Sequence, residues 1–138
     1  MSFPNYSYET GLRNVGSYQA SARPYLTSSI NVPASGSTPK EVSFDSVTRF
    51  IIISNTLDTS ATNVPLRFGF SANGVRGVEN NNYAILNNGE TFEAEFKVTS
   101  VYLMSDSVNE CSASIIAGLT GIKRSHLENN WSGSAGVG

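Results

Sequence analysis

The stretch that decides the fold is TFEAEFKV, residues 91–98, in which apolar and polar side chains alternate without a break. Successive side chains of a β-strand point to opposite faces of a sheet, so a period of two residues predicts a strand with one buried face. Phe92 and Phe96 fall on the apolar face, and Glu93 and Glu95 fall on the polar face. The segment is the clearest half-buried strand in the chain.

Segments with similar patterns lie on both sides of this strand, separated by turn residues. FIII, residues 50–53, is a β-branched run that predicts a central strand covered on both faces. Tight turns are predicted at Asn73-Gly74 and at 87–90, where the sequence NNGE is a hairpin signal. Beyond Gly118 we expect irregular chain. The predicted strands are 41–47, 49–56, 64–72, 83–86, 91–98, 100–104 and 111–118, with a possible edge strand at 28–32.

These strands predict an all-β protein, because no stretch of ten residues shows a helical period. The 138 residues are about the size of one domain. The pattern favours a single antiparallel β-sandwich, specifically a jelly roll of seven or eight strands, although an immunoglobulin-like sandwich has the same local signals. We expect three parts: an extended aromatic N-terminal arm at 1–35, the β-sandwich domain at 36–122 and an irregular Gly/Ser-rich C-terminal tail at 123–138.

The arm is rich in aromatic residues but has neither a helical nor a strand period. Aromatic side chains are usually buried, and thirty-odd irregular residues exceed the usual length of a loop in a compact domain. We therefore expect the arm to pack on a partner or a neighbouring subunit, with packing on its own domain as the alternative. Trp131 in the tail has the same two alternatives. The predicted interface residues are Tyr6, Tyr8, Tyr18, Tyr25 and Trp131 as anchors, with Arg13 and Arg23 as polar contacts between them.

Composition and charge argue against several classes of partner. Charged residues make up 14% of the chain, against roughly 25% in an ordinary globular protein. The net charge is −2, and no cluster of lysine and arginine could neutralise a run of phosphates, so direct nucleic-acid binding is not expected. The first residues lack the pattern of a secretion signal, and no apolar run approaches the length of a membrane span. We expect neither secretion nor membrane insertion, and the single cysteine fits a reducing compartment.

Residues for catalysis or metal binding are few and scattered. His126 is the only histidine and is interpreted as a surface residue. Cys111 opens a strand of small residues and is predicted to be a buried small side chain rather than a nucleophile. Glu93 and Glu95 have a spacing that resembles a glycosidase carboxylate pair, but an exposed strand face, with Lys97 or Arg67 as ion-pair partner, explains the same pattern. The chain is therefore predicted not to be an enzyme and to need neither cofactor nor metal.

Four segments together resemble small single-domain virion proteins of tailed phages and of large double-stranded DNA viruses. They are GLRNVGSYQ at 11–19, FGFSANG at 68–74, IAGLTGI at 116–122 and NWSGS at 130–134. The resemblance implies a jelly-roll or related sandwich that serves as a minor capsid, penton or decoration subunit of the virion. It also implies other capsid proteins and copies of the chain itself as partners, and no catalytic residues.

The alternative function is a glycan- or receptor-binding β-sandwich, such as a virion fibre or spike domain. Such a module presents an exposed aromatic ring beside polar loops, and Tyr83 next to the asparagine run at 80–82 is the candidate in this sequence. An enzyme of another type is the third alternative.

Overall fold

Two antiparallel four-stranded sheets are the main structure in the part of the chain that the computed structural model describes, namely Leu12 and residues 23–78, 80–127 and 129–138. The strands are β1 (Arg23–Val32), β2 (Lys40–Ser43), β3 (Ser46–Asn55), β4 (Leu66–Gly69), β5 (Ala84–Leu86), β6 (Thr91–Ala94), β7 (Ser100–Ser105) and β8 (Cys111–Lys123). Sheet A has the order β1-β8-β3-β6, and sheet B has the order β2-β7-β4-β5. A five-residue helix, α1 (Ala72–Arg76), follows β4, and a 3-10 helix (Arg124–Leu127) follows β8. The prediction of an all-β, antiparallel two-sheet fold is confirmed.

The strands of the first half of the chain pair with those of the second half in reverse order. β1 pairs with β8, β2 with β7, β3 with β6 and β4 with β5. Two further pairings, β3 with β8 and β4 with β7, join these pairs into the two sheets. Consecutive strands therefore alternate between the sheets, except for β4 and β5, which share sheet B.

The core lies between the facing sides of the two sheets. Ile51, Ile53 and Ile115 of sheet A and Leu66 and Leu103 of sheet B are all 0% exposed. Burial of each such side chain contributes about 1.5–3 kcal/mol relative to leaving it in water. The two-residue alternation of the strands thus places one apolar side of each sheet inside the sandwich.

Strand β3 departs from its prediction on one face. Ile51 and Ile53 point into the core, whereas Phe50 and Ile52 lie on the opposite face and are only half-buried. β3 is an internal strand of sheet A, but the prediction that both of its faces are covered does not hold among the described residues. The β-branched run indicates a strand inside a sheet, because β-branched side chains suit a pleated surface whether or not the second face of the sheet is covered.

Strand β6 is shorter than its sequence pattern predicts, ending at Ala94 rather than at residue 98. Beyond Ala94, two hydrogen bonds of the Thr48 side chain replace the backbone hydrogen bonds of a regular strand pair. Its Oγ1 donates to the carbonyl of Phe96 at 2.6 Å and accepts from the amide of Val98 at 3.1 Å. The segment 95–98 thereby crosses from sheet A towards β7 in sheet B, and Phe96 is left 41% exposed.

Both predicted tight turns have a different role in the fold. Asn73 and Gly74 lie inside α1, because Ser71 caps its N-terminus by accepting a hydrogen bond from the Gly74 amide and Gly77 ends it at φ 70°. The turn at 87–90 has Gly89 at φ 79°, but it connects β5 of sheet B to β6 of sheet A. It is a link between sheets rather than a hairpin, so the hairpin prediction is wrong.

The two ends of the domain also differ from the predicted boundaries. Residues 23–32, assigned to the arm, form the whole of edge strand β1, and β8 continues past Gly118 to Lys123. Of the remaining arm, Leu12 packs against a small cluster of Val47, Ile122 and Leu127, and its other residues before position 23 lie outside the described part. Residues 129–138 form successive hydrogen-bonded turns.

Candidate interaction surfaces

The outer face of sheet A carries a row of apolar side chains across three neighbouring strands. Leu26 of β1 stands opposite Ile116 of β8, which stands opposite Ile52 of β3. Leu26 is 70% exposed, Ile116 is 41% exposed and Ile52 is half-buried. These three residues, called here the apolar row, form a continuous apolar strip on a sheet surface that alternation would normally make polar.

Sheet B differs because its outer face is covered. Met104 lies on that face, opposite Arg67, yet it is 1% exposed. Helix α1 packs over β4 and β7 there, and Val75 of the helix is fully buried. No element formed by the described residues covers the outer face of sheet A in this way.

One end of the apolar row opens into a depression with charged walls. The depression has a volume of about 580 Å³ and is lined by Phe50, Ile52, Ala94, Arg49, Glu93 and Glu95. Arg49 Nη1 donates to Glu95 Oε1 at 2.6 Å. Glu95 therefore forms an ion pair with Arg49, whereas the side chain of Arg67, one of the predicted partners, pairs with Asp106. Glu93 and Glu95 are both exposed on the outer face.

A second apolar surface surrounds Trp131. A depression of about 360 Å³ is lined by Phe70, Phe96, Val98, Trp131 and Val137, with Glu95 and Lys97 at its margin. Phe70 and Phe96 meet edge to face with their ring centroids 5.5 Å apart, which is a favourable arrangement for an aromatic pair. The Trp131 side chain is 53% exposed. We call this surface the aromatic depression.

Trp131 is held in place by its neighbour Asn130, which is 3% exposed. Asn130 Oδ1 accepts from the Thr99 amide at 2.9 Å, and its Nδ2 donates to the carbonyls of Phe70 and Ser100 at 3.0 and 2.9 Å. Asn130 and Trp131 both have left-handed backbones, at φ 49° and 65°. A left-handed backbone costs about 1–2 kcal/mol for most L-residues and less for asparagine, and the three hydrogen bonds of Asn130 offset this cost and hold the backbone next to Trp131.

No model of a known protein family matches this chain. A search of curated proteins likewise finds no match.

The predicted interface residues fall in different environments. Arg23 is exposed and pairs with Asp45, with Nη2 and Oδ2 3.2 Å apart. The Tyr25 ring is half-buried and packs edge to face on Phe44 inside the sandwich, at 5.0 Å between centroids. Trp131 is the most exposed of the predicted aromatic anchors within the described residues. Tyr6, Tyr8, Arg13 and Tyr18 lie outside the residues that the structure describes.

Leu26 and Ile116 were not among the predicted interface residues, although one sequence signal bears on them. Ile115 and Ile116 are adjacent in β8, and a strand must turn neighbouring side chains to opposite faces. One of the two isoleucines therefore had to face outward. Nothing in the sequence tells which residue of β1 lies beside it, because that depends on the pairing of strands about 90 residues apart in the chain.

The residues considered for catalysis do not converge. His126 is exposed on the 3-10 helix, whereas Cys111 is a buried core residue, as predicted. Burial raises the pKa of the Cys111 thiol to about 11, and a hydrogen bond with Ser105 lowers it by less. Across the described ranges, no group of three or more His, Cys, Asp or Glu side chains has the arrangement of a metal site.

The glycan candidate Tyr83 is also engaged within the chain. The Arg67 guanidinium lies over the Tyr83 ring at 4.4 Å from its centroid, and Arg67 Nε donates to Asp106 Oδ1 at 2.6 Å. One face of the ring is thus occupied. None of the helices in the described residues is long and apolar enough to span a membrane.

Proposed function

We propose that this chain is a non-enzymatic structural virion protein, a minor capsid, penton or decoration subunit that binds other capsid proteins and copies of itself. The apolar row is the observation that carries the proposal. Large apolar side chains exposed side by side on a flat sheet mark a surface that another protein covers. Leu26 is 70% exposed and Ile116 is 41% exposed, so burial of what remains exposed would contribute on the order of 2–3 kcal/mol.

The strand order supports a jelly-roll assignment for the domain. Pairing of β1 with β8, β2 with β7, β3 with β6 and β4 with β5 is the pattern of one long antiparallel hairpin rolled into two sheets. Jelly rolls occur in viral capsid proteins, in lectins and in cupins, so the fold agrees with a capsid role without selecting it. The apolar row on sheet A favours a protein-binding role in our proposal.

The aromatic depression supports the same role. Trp131 is exposed and aromatic, and it directly follows the hydrogen-bonded and buried Asn130, which favours a residue that contributes strongly to a protein interface. The low charge of the chain is consistent with subunits that lie against one another, because a weakly charged surface limits repulsion between copies.

The first experiment is quantitative mass spectrometry of virus particles purified by density gradient from the source culture. We expect this chain to sediment with a major shell protein at a fixed ratio. A chain that stays at the top of the gradient, free of particles, would overturn the structural role.

A second experiment tests the apolar row separately. Leu26→Lys combined with Ile116→Lys places two charges on the outer face of sheet A, and incorporation into particles is expected to fall by roughly tenfold or more. Val108→Lys is the matched control, because Val108 is a loop residue that is 86% exposed and lies outside the row. Normal incorporation of the double variant would assign the interface to another surface while leaving the virion role intact.

The predicted anchors can be compared in the same incorporation assay. Trp131→Ala is expected to lower incorporation with little effect on the stability of the isolated chain, because the indole is half exposed. Arg23→Ala breaks only an exposed ion pair, so any loss of incorporation would indicate a contact with a neighbouring subunit.

A further inference from the structure

A third surface feature lies between helix α1 and the C-terminal segment and is chemically different from both apolar surfaces. It is a cleft of about 550 Å³, within the size range of small-molecule sites. Its lining consists of side chains that are polar but uncharged, together with glycine backbone and two small or medium apolar residues. The lining residues are Asn73, Val78, Asn80, Asn82, Ser132, Gly133, Ser134, Ala135, Gly136 and Gly138.

The polar side chains of this cleft are available to a ligand. Within the described part of the chain, the side-chain amides of Asn73, Asn80 and Asn82 form no hydrogen bond, and neither do the hydroxyls of Ser132 and Ser134. An amide presents two N–H donors and a carbonyl acceptor, and a hydroxyl presents one donor and two acceptor positions. Five residues with side chains of this kind line one cleft, a composition that suits a ligand with several hydroxyls.

Charge narrows the class of ligand. None of the described residues that line the cleft has a charged side chain. A phosphate, sulfate or carboxylate placed there would lose part of its hydration without gaining a side-chain counter-charge, which is unfavourable. A neutral polyol loses only hydrogen bonds to water that the amides and hydroxyls replace. Val78, which is 60% exposed, adds an apolar wall for the C–H face of a sugar ring.

The cleft is a built feature of the fold rather than a gap between loose segments. Ser71 Oγ donates to the Val137 carbonyl at 2.8 Å and accepts from the Gly74 amide at 2.9 Å, so one side chain links the helix to the C-terminal segment. A Cβ at position 74 would overlap the Val137 carbonyl oxygen, so the segment can lie this close only because residue 74 is glycine. Asn130 anchors the other end of the same wall. A preformed wall lowers the entropy lost on binding.

We propose that this cleft binds a neutral glycan, through hydrogen bonds from the amides of Asn73, Asn80 and Asn82 to sugar hydroxyls. The proposal does not depend on the assembly role, because the cleft lies away from the outer face of sheet A. The Asn80 and Asn82 part of the predicted glycan site is retained, while Tyr83, stacked with Arg67, is replaced by the C-terminal segment as the opposite wall.

The test begins with the full chain on a glycan array that contains neutral oligosaccharides ending in hexose or N-acetylhexosamine, with sialylated and sulfated versions of the same structures. Binding to neutral glycans is expected, with equal or weaker binding to their charged versions. Binding of none of them, or of the charged versions alone, would overturn the proposal.

Variants then locate the binding. Asn73→Ala combined with Asn82→Ala is expected to weaken the affinity for the array-selected oligosaccharide by roughly tenfold or more, since two hydrogen bonds are removed. Asn109→Ala is the matched control, because Asn109 is an exposed loop asparagine outside the cleft. Circular dichroism checks that both variants fold. Unchanged affinity of the folded double variant would show that the glycan binds elsewhere and would overturn the proposed site.

Discussion

Asn130→Ala is expected to destabilise the isolated chain strongly, because one buried side chain satisfies three backbone groups. It accepts from the Thr99 amide and donates to the carbonyls of Phe70 and Ser100. Thr99 is 0% exposed and Ser100 is 3% exposed, so water cannot replace the bonds to these two residues without opening the structure. The change also places alanine at φ 49°, where asparagine is tolerated better.

The magnitude follows from these contacts. Leaving the buried Thr99 amide without a partner is expected to cost about 1–3 kcal/mol, and each of the two carbonyls about 1 kcal/mol. The left-handed backbone adds roughly 1 kcal/mol for alanine. The free energy of unfolding should therefore fall by about 4–6 kcal/mol, a large part of the stability of a domain of this size.

The assay is chemical denaturation of the purified chain, followed by circular dichroism for the sheets and by the fluorescence of Trp131, the only tryptophan. Asn129→Ala is the control, because Asn129 is the exposed neighbour whose side chain forms no hydrogen bond with the described residues. We expect its unfolding curve to match that of the unmodified chain. Two separate transitions in Asn130→Ala, with fluorescence changing first, would mean that the C-terminal segment detaches before the sheets unfold.

A loss below about 1 kcal/mol by both probes would refute this reasoning. It would mean that the Thr99 amide finds another partner at little cost. The aromatic depression would then lack the rigid support on which its proposed role as an interface anchor depends.

Two other changes test the packing of the chain. Burial raises the pKa of Cys111 from 9.0 to about 11, so the folded state favours the protonated thiol. The contribution of this thiol to the free energy of unfolding should therefore be constant below pH 9.0 and should decrease as the pH rises from 9.0 to about 11. Urea titrations across that range should show a smaller decline for Cys111→Ala, and equal declines would contradict burial of the thiol. Gly74→Ala should lower the free energy of unfolding by about 1–3 kcal/mol, although alanine favours a helix, because the alanine Cβ would overlap the Val137 carbonyl oxygen. Arg76→Ala, an exposed change in the same helix, should leave the melting temperature almost unchanged.

Short-range sequence patterns determined the class of fold. The β-branched run at 50–53 lies in strand β3, the alternating segment at 91–98 forms strand β6 over its first four residues, and Cys111 is buried as expected. These predictions succeed because alternation and β-branching act within one strand. Hydrophobic residues spaced two apart can be buried together only if the chain is extended.

Turn signals determined where the chain bends but not what the bend connects. Gly89 does allow a turn through its positive φ, yet the strands on its two sides enter different sheets. The side chain of Asn88 in that turn is buried and donates to the carbonyls of Asp58 and Thr62, about 26–30 residues earlier. The preference of a dipeptide for a turn indicates only the local backbone angles. Which sheet each strand joins depends on pairing with strands that are distant in sequence.

The tertiary structure decided which residues lie together on each candidate surface. Strand pairing brings Leu26 beside Ile116, and the return of the C-terminal segment brings Trp131 beside Phe96 and places Ser132 across from Asn73. Each of these neighbours is separated by more than thirty residues of chain. A sequence shows that a strand has an apolar side chain on each face, but only the packing of the whole domain decides which face becomes the core and which remains available to a partner.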